Sequence, residues 1–211
     1  MKETTTIYIT RHGQTEWNIQ KRFQGHNDSP LTELGMKQAS WLGESLEQEP
    51  IDLIYSSSSQ RAVKTAEIIR GKRDIPIGIS DAFREISLGE WEGITQEEAK
   101  EHFAEQFDHF WNDPGAFQVE NSETFQQVYD RAVQKLKEII HDHRGKSILI
   151  VTHTAVIKLL MAYFEKRLLK DIWEPPYIHP TCLCEIEIID GDCNIVRHGD
   201  TGHYKTELDE S

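Results

Sequence analysis

Positive charge is the scarcest commodity in this 211-residue chain: 23 Lys and Arg stand against 36 Asp and Glu, a formal net charge of −13. A field of that sign excludes broad attraction to nucleic acid or to an anionic membrane surface, since both need a basic face. An anionic small molecule is not excluded, because a few arginines and histidines can make one pocket locally positive. Cysteine is sparse too. Cys182, Cys184 and Cys193 form an odd and small set, a poor disulfide framework, so a reducing, cytoplasmic setting is expected. Cys182 and Cys184 alternate along a strand-like run and read as small core residues sharing a face, not as metal ligands. Long hydrophobic runs are missing. The most apolar stretch, residues 148–164, contains His153 and Lys158 and reads as a buried strand followed by a helix, not a membrane span. Met1-Lys2-Glu3-Thr4 opens no apolar signal segment, so the glycosylation-like Asn27-Asp28-Ser29 carries no meaning. Disordered tracts and internal repeats are absent as well. The 37% of hydrophobic residues suffice for one core, and a single domain over residues 1–211 is expected.

What is present is an alternation of strand and helix signals. Short β-rich runs fall at residues 7–10, 52–55, 75–79 and 147–152. Between them, Thr32 is placed to cap a helix whose apolar stripe is Leu34, Ala39, Leu42 and Leu46. A second helix carries Arg61, Ala62, Thr65, Ala66 and Ile69 after a polar turn at residues 56–59. Residues 95–113 read as helical, polar and aromatic, broken by Pro114-Gly115. A long amphipathic helix follows over about 124–143, with Val128, Ala132, Leu136, Ile139 and Ile140 on one side. Residues 155–164 form another helix, and 182–189 and 195–197 read as late strands around Asp190-Gly191-Asp192. The alternation predicts an α/β fold, a three-layer αβα sandwich whose mostly parallel central sheet has an antiparallel edge. The segment at about 95–123 is expected to be a helical insertion covering the site as a lid.

Four polar clusters fall just past strand ends, where a doubly covered α/β sheet places its active site. In Arg11-His12-Gly13-Gln14-Thr15, Arg11 offers a planar fork of donors suited to phosphate, His12 a ring nitrogen, and Gly13 a close approach. Arg61 opens a helix, where the dipole favours acids instead, so a task other than helix stability is implied. Glu85 sits in mixed apolar company that can raise its pKa into general-acid range. His153, between a buried strand and a helix, can add positive charge toward an anion.

Arg11-His12-Gly13-Gln14-Thr15, the Ser-rich turn with Arg61-Ala62 and Thr65-Ala66, Glu85 with Gly89-Glu90-Trp91-Glu92-Gly93, and Val151-Thr152-His153 occur in one order over residues 7–164. Together they resemble the histidine phosphatase superfamily, the phosphoglycerate mutase-like fold. The resemblance implies that His12 is the phosphorylated nucleophile. It implies that Arg11, Arg61 and His153 bind the phosphoryl group with Asn18 assisting, that Glu85 donates the proton, and that Gln24 and Gly25 line the mouth. No metal or cofactor is implied. The partner is a small phosphorylated substrate, and a homo-oligomer is left open. In-line phosphoryl transfer needs an attacking atom, charge on the equatorial oxygens and a proton for the leaving oxygen. Neutral His12, the Arg11/Arg61/His153 set and Glu85 supply them in that order. Thr154 stands where the family has glycine after the second histidine, and is expected to cap the following helix or to narrow the substrate pocket.

Ile86-Ser87-Leu88-Gly89 follows Glu85 in place of the mutases' Arg-His-Tyr-Gly, which points to the phosphatase branch. The expected function is therefore a metal-independent, broad-specificity phosphomonoesterase. The alternatives are a cofactor-dependent phosphoglycerate mutase and a non-catalytic phosphate-binding regulatory protein. A metal-dependent phosphohydrolase would need ligands from Asp108, His109, Asp113, His141, Asp142 and His143, which show no closed ligand spacing. Phe103, Phe107, Phe110, Trp111 and Phe117 read as helix core, or else as an apolar lid favouring aryl or alkyl phosphates.

Overall fold

The computed structural model describes residues 3–205. Its centre is a sheet of β1 (Thr4–Arg11), β2 (Leu53–Ser57), β3 (Ile77–Ser80), β4 (Ser147–Thr152), β5 (Leu183–Ile189) and β6 (Asp192–Asp200), in the order β3-β2-β4-β1-β5-β6. The first four run parallel, and β5 and β6 add an antiparallel edge. Strand period two sorts the side chains onto opposite faces. Ile7, Ile9, Ile148 and Ile150 belong to one apolar cluster, and Tyr8, Leu149 and Val151 to the other. The helices α2 (Glu33–Ser45) and α3 (Gln60–Arg70) cover the second cluster. The first lies under α6 (Phe125–Asp142) and α7 (Thr154–Glu165). This is the expected three-layer sandwich. β4 is buried along nearly its whole length because both of its neighbours are central strands, which is why it reads as an unbroken apolar run.

Several local expectations are corrected. Thr32 does cap α2, its hydroxyl accepting from Gly35 N at 2.9 Å. The inward stripe, however, runs through Gly35, Gln38, Ala39 and Leu42, while Leu34 is exposed. The helix is rotated by a backbone contact, since a Cβ on Gly13 would lie 2.3 Å from Gly35 O and one on Gly35 2.1 Å from Gln14 O. Gly13 thus lets α2 dock against the loop after β1, a task different from ligand approach. Ser56 and Ser57 belong to β2, not to a turn, and β6 is much longer than the expected 195–197.

The helical stretch after Thr95 is two helices, α4 (Gln96–His102) and α5 (Ala104–Asn112), broken at Phe103. Phe103 instead turns its ring to Trp91, 6.1 Å between centroids. Fully buried Trp91 also meets Phe110 and Phe117 at 5.8 and 5.2 Å, and Phe125 meets Trp173 at 5.7 Å. Ring pairs of this kind contribute about 0.5–1.5 kcal/mol each beyond their area. Phe110 in turn meets Phe125 and Trp173 at 5.2 and 5.4 Å, so these rings fasten residues 103–117 to α6 and to the chain after α7.

Candidate active site

β1 and β4 are hydrogen-bonded neighbours, with Arg11 in register with Thr152 and His12 N donating to Thr152 O at 3.0 Å. The residues just past that pair are His12 and His153. Parallel strands lie about 4.8 Å apart, and the two imidazole centroids are 5.2 Å apart. The sheet itself therefore brings together two histidines that are remote in sequence.

Each ring is held by one nitrogen. His12 Nδ1 lies 2.8 Å from Gly13 O. A carbonyl only accepts, so Nδ1 carries the proton and Nε2 keeps its lone pair. Burial, then the cations of Arg61 and Arg11, hold the His12 pKa well below the ordinary value. His153 Nε2 lies 2.8 Å from Ser57 Oγ, and its buried Nδ1 has no partner. Burial, then Arg61, His12 and Arg11, depress its pKa in the same way. Both rings are neutral at pH 7, and an arriving phosphate dianion opposes the cationic causes of that depression.

Arg61 is enclosed in a cage. Nη1 donates to Asn27 O at 3.0 Å and to Asp28 Oδ1 at 2.6 Å, and Nη2 to Gly25 O at 2.7 Å. Its side chain is fully buried, and Nε has no partner. The cage loop is tied down by Glu92, which accepts from the backbone N–H of Gly25, His26, Asn27 and Leu88 at 2.7–3.2 Å. Gly25 admits that carboxylate: a Cβ there would lie 2.4 Å from both Glu92 Oε1 and Ile86 O.

Glu85 is buried, its carboxylate accepting from Ile86 N at 3.0 Å and Ala155 N at 3.2 Å. Burial raises its pKa, against the opposing pull of those two N–H groups and of Arg61 and Arg11. Arg131 clamps the acid's backbone. It donates to the carbonyls of Ala82, Arg84 and Glu85 at 2.8–3.1 Å and pairs with both oxygens of Glu123 at 2.9 Å.

Arg11 donates from Nη1 to Ile178 O at 2.9 Å, and its buried Nε has no partner. Gln24 Oε1 accepts from Thr15 Oγ1 at 2.9 Å, and its buried Nε2 likewise has none. Asn18 commits its Oδ1 to Thr15 N at 3.0 Å in a capping box on the short helix α1 (Glu16–Ile19), which leaves its amide Nδ2 as the end able to reach a ligand. The expectation that Thr154 caps α7 is corrected: His153 is the N-cap, with no side-chain cap bond, and Thr154 is the first helical residue. Thr154 is half-buried.

The cations of Arg11 and Arg61 depress the pKa values of both His12 and His153 and oppose the rise at Glu85. Sequence reasoning missed Asp28, Glu92 and Arg131 as the site's supports. Asp28 lay inside the dismissed Asn27-Asp28-Ser29, Glu92 inside a quoted stretch with no role given, and Arg131 on an ordinary helix. The one available signal was chemical: a buried arginine needs an acid, and only the fold identifies which. A groove of about 590 Å³ beside Asp28 and Arg61, between Leu31, Met36 and Val63, touches none of His12, Glu85 and His153. The candidate metal ligands do not gather either. Among the described residues no group of three or more His, Cys, Asp or Glu is placed to hold a metal ion.

A family model described as the histidine phosphatase superfamily (branch 1) matches residues 7–201. Among curated relatives, a metal-independent phosphoserine phosphatase of Arabidopsis thaliana is 33% identical over 163 residues, 75% of this chain and 68% of the relative. A probable 2-carboxy-D-arabinitol-1-phosphatase of the same plant is 34% identical over 77% of this chain, which spans only 34% of that longer protein. Among solved structures, Bacillus stearothermophilus YhfR superposes with a TM-score of 0.92 at 44% identity, covering 94% of this chain and 98% of the other.

Proposed function

The chain belongs to the histidine phosphatase superfamily and is a phosphoric monoester hydrolase; within that class we propose a metal-independent, broad-specificity phosphomonoesterase that works through a phosphohistidine on His12. The observation that carries the reading is the set of buried nitrogens without partners: Arg11 Nε, Arg61 Nε, His153 Nδ1 and Gln24 Nε2. Buried donors are almost always satisfied. Four such nitrogens on residues expected to meet a phosphoryl group fit one bound oxyanion together, His153 as the tautomer that carries its proton on Nδ1.

The chemistry follows from the atoms. His12 Nε2, its lone pair kept by the Nδ1–Gly13 bond, attacks phosphorus as the ester P–O bond breaks. The unpartnered N–H groups take the equatorial oxygens, where fixed donors stabilise developing charge best. Asn18 Nδ2 and Gln24 Nε2 add donors at the edge of the site, and Gly25 and Thr154 belong to its substrate-facing residues. Protonated Glu85 passes its proton to the leaving oxygen. A water then attacks the phosphohistidine and returns a proton to Glu85 as the P–N bond breaks, releasing phosphate and free His12. These contacts all address the phosphoryl group, so the leaving group is weakly specified. A phosphorylated amino acid, the substrate named for the metal-independent plant relative, belongs within that range. We also take residues 95–123 as a fixed wall of the site, held by the Trp91 ring cluster, and not as a moving lid.

The test is to trap the intermediate. A phosphohistidine is labile in acid and stable in base. Quenching into base during turnover should leave phosphate on His12, and His12→Ala should lose both adduct and hydrolysis. His153→Ala should keep some labelling of His12, since it removes one donor, worth about 10²–10³ in rate. Phosphate found on His153, or near-normal turnover by His12→Ala, overturns the assignment.

A further inference from the structure

We propose that Lys158 is a positioning residue for the phosphate site, acting on Arg11 through the backbone of residues 174–178. The proposal rests on Arg11 serving the phosphoryl group. Lys158 lies in α7 between Ile157 and Leu159 and is only 5% exposed. Lysine is seldom buried to that degree, because its ammonium must be hydrogen-bonded to be tolerated. Apolar packing alone would favour Leu or Met there. Its Nζ donates to Glu174 O at 2.6 Å and to Pro176 O at 2.7 Å.

Those carbonyls belong to an irregular stretch between α7 and β5 that no sheet ladder holds. Arg167 braces its outer side more loosely, donating to Asp171 O and Glu174 O at 3.4 and 3.1 Å. Two residues past Pro176 comes Ile178, itself buried. Its carbonyl is the acceptor that fixes Arg11 Nη1 at 2.9 Å. Three residues further, Thr181 N donates to Arg11 O at 3.1 Å. A continuous series of contacts thus leads from a buried ammonium in α7, through two carbonyls, to the guanidinium whose Nε has no partner. Without the ammonium the stretch loses its inner anchor and Ile178 O shifts. Arg11 then swings about its one fixed end, turning Nε away from the anion. Misplacements of about 1 Å in such sites cost up to 10²-fold.

A double-mutant cycle tests this. Lys158→Met is made in the wild-type, Arg11→Ala and Arg61→Ala backgrounds. Hydrolysis of nitrophenyl phosphate and the dissociation constant of orthovanadate are measured in each. The expected loss in kcat/KM is about 10-fold in the wild-type background, persists beside Arg61→Ala, and shrinks to about 2-fold or less beside Arg11→Ala. Vanadate affinity should follow the same pattern. Equal losses in all three backgrounds mean general damage and overturn the proposal, as does no loss in the wild type. If Lys158→Met fails to fold by its melting curve, Lys158→Gln, which keeps one donor, goes through the same cycle under the same criteria. A wild-type protein that neither hydrolyses the ester nor binds vanadate removes the phosphatase reading first, and this proposal with it.

Discussion

Asp28→Asn should weaken the fold and strengthen anion binding at once. Asp28 is the carboxylate against the fully buried Arg61 guanidinium, 2.6 Å from Nη1. Asparagine keeps one acceptor oxygen for Nη1 and removes the charge, together with the second oxygen, which accepts from Gln60 N at 2.8 Å. The difference between a charge-assisted and a neutral hydrogen bond is about 1–1.5 kcal/mol. Leaving a buried cation without its counter-charge adds to that, so the free protein should lose about 2 kcal/mol. For a chain of this size that lowers Tm by roughly 4–8 °C. In the anion complex the oxyanion itself neutralises Arg61, and the cost should be smaller by about 1–2 kcal/mol. Linkage then requires orthovanadate to bind the variant roughly 5–30-fold more tightly. Melting with and without vanadate, together with isothermal titration, measures both legs. A variant that melts lower and binds vanadate no better, or worse, refutes the idea that Asp28 competes with the bound anion for Arg61.

Glu85→Gln should reduce turnover of an alkyl phosphate by about 10²–10⁴-fold and that of nitrophenyl phosphate much less; equal losses would deny Glu85 the proton-donor role. Because burial raises the Glu85 pKa, wild-type kcat/KM on the alkyl ester should fall as pH rises through that raised value. The variant should lack this limb, and a limb that survives the substitution belongs to another group. On the acid side, activity should fail only well below the ordinary histidine range, because His12 must be neutral to attack and its pKa is depressed. EDTA should leave turnover intact, since the two arginines supply the positive charge; loss that Mg²⁺ or Zn²⁺ restores would sink the mechanism.

The layered fold was legible because its signals are local. β4 is an unbroken apolar run, and α6 repeats Val128, Ala132, Leu136 and Ile139 on one face, all four buried. Leu34 misled because a heptad-like stripe gives spacing and not rotation, and the Gly13–Gly35 backbone contact fixes the rotation. The reacting groups were legible because the loops after strands carry them in short motifs. Their supports were not. Asp28 meets Arg61 across 33 residues of sequence, Glu92 reaches back 65–67 residues to the cage loop, and Arg131 reaches 46–49 residues to the acid's carbonyls. A single acceptor or donor on an ordinary turn or helix has no periodicity to betray it.

The placing of β4 between β1 and β2 has a consequence for the chain during its synthesis. Until residues 147–152 leave the ribosome, β1 has no β4 edge to pair with, β2 has none either, and the second imidazole does not yet exist. A chain interrupted before that point would present two apolar inner edges, the kind of surface that pairs with other chains. Insertion of one late strand closes both edges and sets His153 beside His12 in the same event. A chain that ends before β4 therefore lacks both the strand that joins β1 to β2 and the residue that stands beside His12.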